Sequence, residues 1–200
     1  MKLFYSPSSP FVRKVVLAAK IRGLDAQIER LPTDAHSSPA TLLAANPLSK
    51  VPCLLTEDGV ALFDSPVICE YLDSLGDAPP LFPDHGGPRW TALRQQALAD
   101  GIMDAAVLAR MESVRPQEET RAAVIARQKS AVLRGLAVLE EHPPEAGNPT
   151  IGSVTVACAL GYLDFRFAAD NWRDGHPRLA RWLDGFAKTV PGFAETAPPV

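Results

Sequence analysis

Up to residue 77 the apolar positions alternate between strand-like runs and helical spacing. Leu3-Phe4-Tyr5 is a short apolar run ended by Ser6-Pro7-Ser8-Ser9-Pro10, which predicts a strand and then a turn. Pro10 suits the first position of a helix, with Ser9 as its N-cap and Gly23 as its stop. Between them Phe11, Val12, Val15, Val16 and Ala19 recur at helical spacing. A second strand is expected within Ala26 to Leu31, and a short helix from Pro39 to Ala45. Cys53-Leu54-Leu55-Thr56 and Val60-Ala61-Leu62-Phe63 flank Glu57-Asp58-Gly59, and Asp-Gly between apolar runs signals a hairpin. Ser65 and Pro66 open a further helix as N-cap and first residue. Its apolar face is Ile68, Tyr71, Leu72 and Leu75, and Gly76 stops it. The predicted order is β-α-β-α-β-β-α.

Beyond residue 88 every period is helical. Leu93, Ala97, Gly101, Ala105 and Leu108 keep steps of three and four, and Ile125, Val132, Leu136 and Leu139 do so after Pro116. Thr150 to Ala169 is apolar on all sides, which predicts the central helix of the half. His176 to Lys188 forms a last helix. Between the halves, Ala78 to Pro88 is dense in Pro and Gly, as a linker is. His142 to Pro149 has the same character and reads as a loop. The expected organisation is an α/β domain over residues 1–77, a linker over 78–88 and an all-helical domain over 89–200.

Composition narrows the function classes. With 200 residues, 46% hydrophobic and 22% charged, the chain has enough apolar material for a packed core and is not a disordered or low-complexity scaffold. The net charge of −3 and the lack of a Lys/Arg cluster argue against binding to nucleic acid or an anionic membrane. Val154 to Leu163, the longest mostly apolar stretch, is about half of what a spanning helix needs. The first residues show no apolar core of a secretory signal. Cys53, Cys69 and Cys158 are too few and scattered for a disulfide framework or a CxxC metal site. No GxSxG elbow is present, and His36, His85, His142 and His176 have no triad or zinc spacing. The expectation is a soluble, cytoplasmic chain without a metal.

Three motifs carry candidate chemistry. Ser8-Ser9-Pro10-Phe11-Val12-Arg13 puts a hydroxyl at a helix N-terminus directly after a strand, where unpaired N–H groups and the helix dipole favour an anion such as a thiolate. Read alone, Ser9 is equally a plain helix cap. Lys50-Val51-Pro52 precedes the hairpin, and a cis bond there would expose the Val51 backbone to an extended ligand. Asp64-Ser65-Pro66 offers a carboxylate for an ammonium and helix-terminal donors for a carboxylate, the two groups of a free amino-acid end. Taken alone it is a cap with a solvated Asp.

In this order and at these distances the three motifs resemble the glutathione transferase family, and the resemblance covers essentially the whole chain. Asn46-Pro47-Leu48-Ser49-Lys50-Val51-Pro52 before the hairpin, Leu81-Phe82-Pro83, Ala99 to Asp104 and Ala157 to Arg166 add to it. The resemblance implies a thioredoxin-like N-terminal domain with a mixed four-stranded sheet, then a helical domain. It implies glutathione as co-substrate, a small hydrophobic electrophile or a peroxide as second substrate, and a homodimer. Ser9 would be the catalytic donor to the glutathione sulfur. Val51, before a cis Pro52, would pair with the cysteinyl part. Asp64 and Ser65 would hold the γ-glutamyl end, Lys50 the glycine carboxylate, and Asp100 would reach the γ-glutamyl group of the neighbouring subunit. Phe11, Met103 and Met111 are candidates for the electrophile pocket, and the two methionines also suit a core. Tyr5 is the alternative donor; His36 and Cys53 are candidate neighbours of the site, though a solvated loop histidine and a buried strand cysteine are the plainer readings. Two departures count: Ser at position 9 in place of Cys argues against disulfide exchange, and Ser153 is a weak fourth residue for a capping box begun by Thr150. The alternative reading is a binding or regulatory protein of the same fold with little catalysis.

Overall fold

The computed structural model describes residues 1–75, 78–116, 118–190 and 192–199. The expected helix stop at Gly76 lies outside them. The chain divides into two compact units, Met1–Asp84 with Val190–Val200, and His85–Thr189.

The first unit runs β1 (Lys2–Tyr5), α1 (Pro10–Ile21), β2 (Glu29–Pro32), α2 (Ala40–Ala45), β3 (Cys53–Leu55), β4 (Ala61–Leu62) and α3 (Ser65–Asp73), the order the sequence pattern predicts. The sheet is mixed, in the order β2-β1-β3-β4. β1 pairs parallel with β2, opposite in sense to the β1–β3 and β3–β4 pairs. Phe4 and Cys53 face Leu42 of α2 on one side of the sheet. By the alternation of a strand, Leu3 and Leu54 turn to the other side, both fully buried, where α3 packs on β3 and on α1. The second strand starts later than expected, because Asp25–Gln27 first make a turn of 3-10 helix.

Two buried arginines hold α1, and neither was singled out from the sequence. Arg22, 5% exposed, closes α1 and places Nε 3.2 Å from Asp73 Oδ1, while its Nη2 donates to the Asp73 and Leu75 carbonyls. The Asp73 carboxylate also accepts from the Leu81 N–H at 2.7 Å and the Phe82 N–H at 3.0 Å. One carboxylate therefore joins the end of α1, the end of α3 and the apolar pair Leu81-Phe82. Arg13, in the first turn of α1, donates to the Phe193 carbonyl at 2.9 Å and lies 4.3 Å from the centre of the Phe193 ring. The C-terminal residues, expected within the helical domain, thus pack with the first unit. Gly192 sits at φ +85, and a Cβ there would come 2.7 Å from Lys20 Cδ, so the close approach requires glycine.

The second unit is helical: α4 (Gly86–Ser113), α5 (Glu119–Glu141), α6 (Ile151–Arg166), α7 (Trp172–Gly175) and α8 (Pro177–Thr189). Gly86-Gly87-Pro88, read from sequence as the end of the linker, form the first turn of α4, where a proline loses no helical hydrogen bond. α6 is the most buried helix, as its apolar pattern predicts, but it ends at Arg166 and Ala168–Asp170 form a separate 3-10 turn. Ser153 completes the capping box despite its short side chain. The Ser153 N–H donates to Thr150 Oγ1 at 3.3 Å, and the Thr150 N–H to Ser153 Oγ at 2.9 Å. A Cβ at Gly152 would meet the Ala92 carbonyl oxygen at 2.7 Å, which explains a glycine where α6 crosses α4. Among the described residues no single helix is long and apolar enough to cross a membrane.

Replacing Asp73 takes the carboxylate from the buried Arg22 guanidinium and from the Leu81 and Phe82 N–H groups. Asp73→Ala is expected to lower stability by about 3–5 kcal/mol in urea denaturation. A loss below about 1 kcal/mol would show that the pair does not hold the unit together.

Candidate functional site

The register of the sheet decides which loops meet. β3 runs antiparallel to both neighbours, with Phe4 opposite Cys53 and Leu54 opposite Leu62. The end of β1, the start of β3 and the end of β4 therefore share one edge. Adjacent strands lie about 4.8 Å apart, so the three exits span about 10 Å. Ser6-Pro7-Ser8-Ser9 leaves β1 at this edge, Lys50-Val51-Pro52 enters β3, and Phe63-Asp64-Ser65 leaves β4. Three motifs far apart in sequence are brought side by side by pairing alone.

Each motif offers open polar groups there. Ser9 caps α1: the Val12 N–H donates to its Oγ at 3.3 Å and the Arg13 N–H to its carbonyl at 3.0 Å. The hydroxyl proton of Ser9 is used by neither bond. Pro10 has no N–H, which leaves the Phe11 amide as the open donor of the first turn. The Val51–Pro52 bond is cis, as expected, and so is Phe63–Asp64. Asn46, 1% exposed, shapes the approach to Val51, its amide donating to the Lys50 carbonyl at 2.9 Å and its Oδ1 accepting from the Leu48 N–H at 3.0 Å. The sequence pattern gave Asn46 only as part of a motif and not this role, although Asn before Pro is itself a turn signal. The Lys50 side chain is exposed.

The start of α3 differs from expectation by one residue. Asp64, in extended conformation, is the N-cap, and Ser65 is the first helical residue with Pro66 behind it. The sequence pattern puts the proline at the first position, but its lack of an N–H is harmless anywhere in the first turn. The change matters chemically. The exposed Asp64 carboxylate makes no cap bond with its own helix, so it remains available as an acceptor. Ser65 is 2% exposed and keeps an amide donor as well as its hydroxyl.

Of the remaining candidates, Tyr5 and Cys53 stand at the strand ends of this edge and the others lie outside the sheet. Tyr5 is half-buried at the end of β1 with the Arg30 guanidinium 5.7 Å from its ring centre. His36 is exposed, and its N–H donates to Asp34 Oδ1 at 3.0 Å. Cys53 follows Pro52 but is fully buried in the sheet, and burial pushes its thiol up to about 11, which keeps it protonated and unreactive at neutral pH. Phe11 is half-buried on α1. Asp100, Met103 and Met111 stand on α4 in the helical unit, where Asp100 and Met111 are half-buried. Met103 is 0% exposed, which places it among the core side chains. Among the described residues no cluster of His, Cys, Asp and Glu could hold a metal ion.

One edge thus combines an acceptor for an ammonium, donors for a carboxylate, a backbone segment for pairing, a cation and a hydroxyl beside a helix N-terminus. A family model described as "Glutathione S-transferase, N-terminal domain" matches residues 8–75, and one described as "Glutathione S-transferase, C-terminal domain" matches residues 122–185. The uncharacterized GST-like protein YibF of Escherichia coli K12 is 36% identical, the match covering 100% of this chain and 99% of that one. A glutathione transferase family member from Pseudomonas fluorescens Pf-5, solved with bound glutathione, is 39% identical with a TM-score of 0.92, over 100% of this chain and 99% of that one. A family member from the same strain, solved with bound S-(propanoic acid)-glutathione, is 39% identical with a TM-score of 0.89 over 100% of both chains. The fold, the polar edge and relatives matched along their whole length agree: this chain belongs to the glutathione S-transferase family.

Proposed function

We propose that the chain binds glutathione along this sheet edge, converts its thiol to thiolate and directs it at a small hydrophobic electrophile or a peroxide. The observation that carries the reading is the convergence of Ser9, Lys50, Val51, Asp64 and Ser65 at the shared end of β1, β3 and β4. Relatives solved with glutathione and with a glutathione thioether support it. Asp64 takes the γ-glutamyl ammonium, and the Ser65 amide and hydroxyl take its carboxylate. The Val51 backbone pairs with the cysteinyl residue before the cis Pro52, and Lys50 meets the glycine carboxylate. The sulfur then comes to the N-terminus of α1. A free thiol near pKa 8.5 is mostly protonated at pH 7. The Ser9 hydroxyl, the Phe11 amide and the helix dipole all favour the thiolate, and two or three modest hydrogen bonds shift the pKa enough.

The enzyme reading extends to a homodimer in a reducing, cytoplasmic compartment. Exposed Trp90 and Leu108 lie 18 residues, or about five turns, apart on one face of α4. Exposed Val124 and Val138 lie 14 residues, or about four turns, apart on one face of α5. These exposed apolar residues suit a twofold mate, which would bring Asp100 to the partner's glutathione. Buried cysteines without a disulfide suit the compartment.

If the protein only binds glutathione, bound thiol should titrate like free thiol and a standard conjugation assay should show no turnover. For the enzyme, Ser9→Ala should raise the pKa of bound glutathione, read by ultraviolet thiolate absorbance, by about one unit or 1.4 kcal/mol. Turnover at pH 6.5 should then fall about tenfold, with glutathione affinity little changed. The variant also loses an N-cap worth about 1 kcal/mol, and Ser9→Thr, which keeps cap and donor, controls for that. Full activity in Ser9→Ala would pass the role to Tyr5 or to backbone donors. Ser65→Ala should weaken glutathione binding by about 1–2 kcal/mol in calorimetry, and unchanged affinity would remove Ser65 from the site. Light scattering at micromolar concentration should give twice the 21.5 kDa of one chain. A monomer would remove both the interface and the shared role of Asp100.

A further inference from the structure

The helical unit contains a cavity of about 260 Å³ that the proposed reaction does not use. Its floor is Ala106 and Ala109 of α4, whose small side chains leave the space open. Leu136 of α5 and Leu163 of α6, at 0% and 3% exposure, are fixed walls. The Trp172 ring closes one side and is held by its Nε1–H donating to Asp164 Oδ1 at 2.7 Å. Open on one side but lined mainly by apolar side chains, this space favours an apolar molecule over water, and its volume exceeds the about 150 Å³ that accepts benzene.

The lining is apolar except at one end. There Lys129 Nζ lies 2.8 Å from Asp170 Oδ1 and 2.7 Å from Oδ2, and 5.8 Å from the centre of the Phe167 ring. Both side chains are about two-fifths exposed, at 42% and 44%, so the pair meets water and rearranges without a burial penalty. The charges select the ligand. A carboxylate brought to this end meets Asp170, and an ammonium meets Lys129. A neutral hydroxyl suits both, accepting from the Lys129 ammonium while donating to the Asp170 carboxylate.

We infer that this cavity is a binding site for a neutral aromatic alcohol, a phenol of one or two fused rings, with its hydroxyl bridging Lys129 and Asp170. The site lies wholly within the helical unit and shares no residue with the proposed glutathione site. It is also turned away from the proposed dimer face. Leu133, at the cavity, is 9 residues from Val124, about two and a half turns, and therefore on the opposite side of α5. The inference stands independently of the transferase reading.

The test uses the full chain with 2-naphthol and, as its anionic counterpart, 2-naphthoate. Calorimetry should show saturable binding of 2-naphthol, at least tenfold tighter than of 2-naphthoate. The indole N–H resonance of Trp172 should shift during the titration while that of Trp90 stays in place. Asp170→Asn removes an exposed carboxylate and frees the Lys129 cation, so the preference should move at least tenfold toward 2-naphthoate. Saturating S-hexylglutathione, which would occupy the transferase site and its electrophile pocket, should leave 2-naphthol binding unchanged. Absence of saturable binding, an unmoved Trp172 resonance, an Asp170→Asn variant with the original preference, or displacement by S-hexylglutathione would each overturn the inference. Loss of glutathione binding alone would count against the transferase reading and not against this one.

Discussion

Strand pairing in opposite senses on either side of β1 is the constraint from which the rest follows. Because β3 is antiparallel to both β1 and β4, the chain must leave β1, enter β3 and leave β4 at one end of the sheet. The two helices that begin there, α1 and α3, then direct their N-termini and open amides to the same end. A slip of one residue in the β1–β3 register would turn Leu3, Phe4, Cys53 and Leu54 to the wrong faces, so core packing and site geometry are secured together.

The edge is useful only if α1 stays in place, and buried charge holds it at both ends. Arg13 anchors the first turn to the Phe193 carbonyl and ring, and Arg22 anchors the last turn to Asp73. A guanidinium that reaches several acceptors at once gives direction as well as energy, which apolar packing alone does not. Lys20, with Glu195 at 2.9 Å and Asp25 at 3.2 Å, adds a more exposed contact between α1 and the same C-terminal segment. Those carboxylates raise its pKa, with the Glu195 hydrogen bond the larger cause. Ser9 thus sits on a helix whose orientation is set by residues remote from it in sequence.

Local signals explain what was legible in the sequence. Ser9-Pro10, Asp58-Gly59 and the apolar spacing of α1 and α6 act over a few residues, and the fold carries each of them. The mixed four-stranded sheet was reached only through the resemblance, and the sheet order and the shared edge not at all, since no periodicity states which strands pair. Arg13 and Arg22 read as ordinary helix charges because their partners, Phe193 and Asp73, lie 180 and 51 residues away. Met103 read equally as pocket or core, and only its complete burial assigns it to the core. The shift of the α3 cap from Ser65 to Asp64 has the same origin: hydroxyl and carboxylate caps are nearly equal in preference, and the extended backbone of Asp64 decides.

The claim on which all of this bears is that one sheet edge both holds glutathione and meets its sulfur with the start of α1. A crystal structure of the protein grown with glutathione tests it most directly. The account predicts the tripeptide lying across the ends of β1, β3 and β4, paired with the Val51 backbone, its γ-glutamyl end at Asp64 and Ser65. Its sulfur should lie within hydrogen-bonding distance of Ser9 Oγ. Glutathione bound elsewhere, or bound with its sulfur turned away from α1, would contradict it.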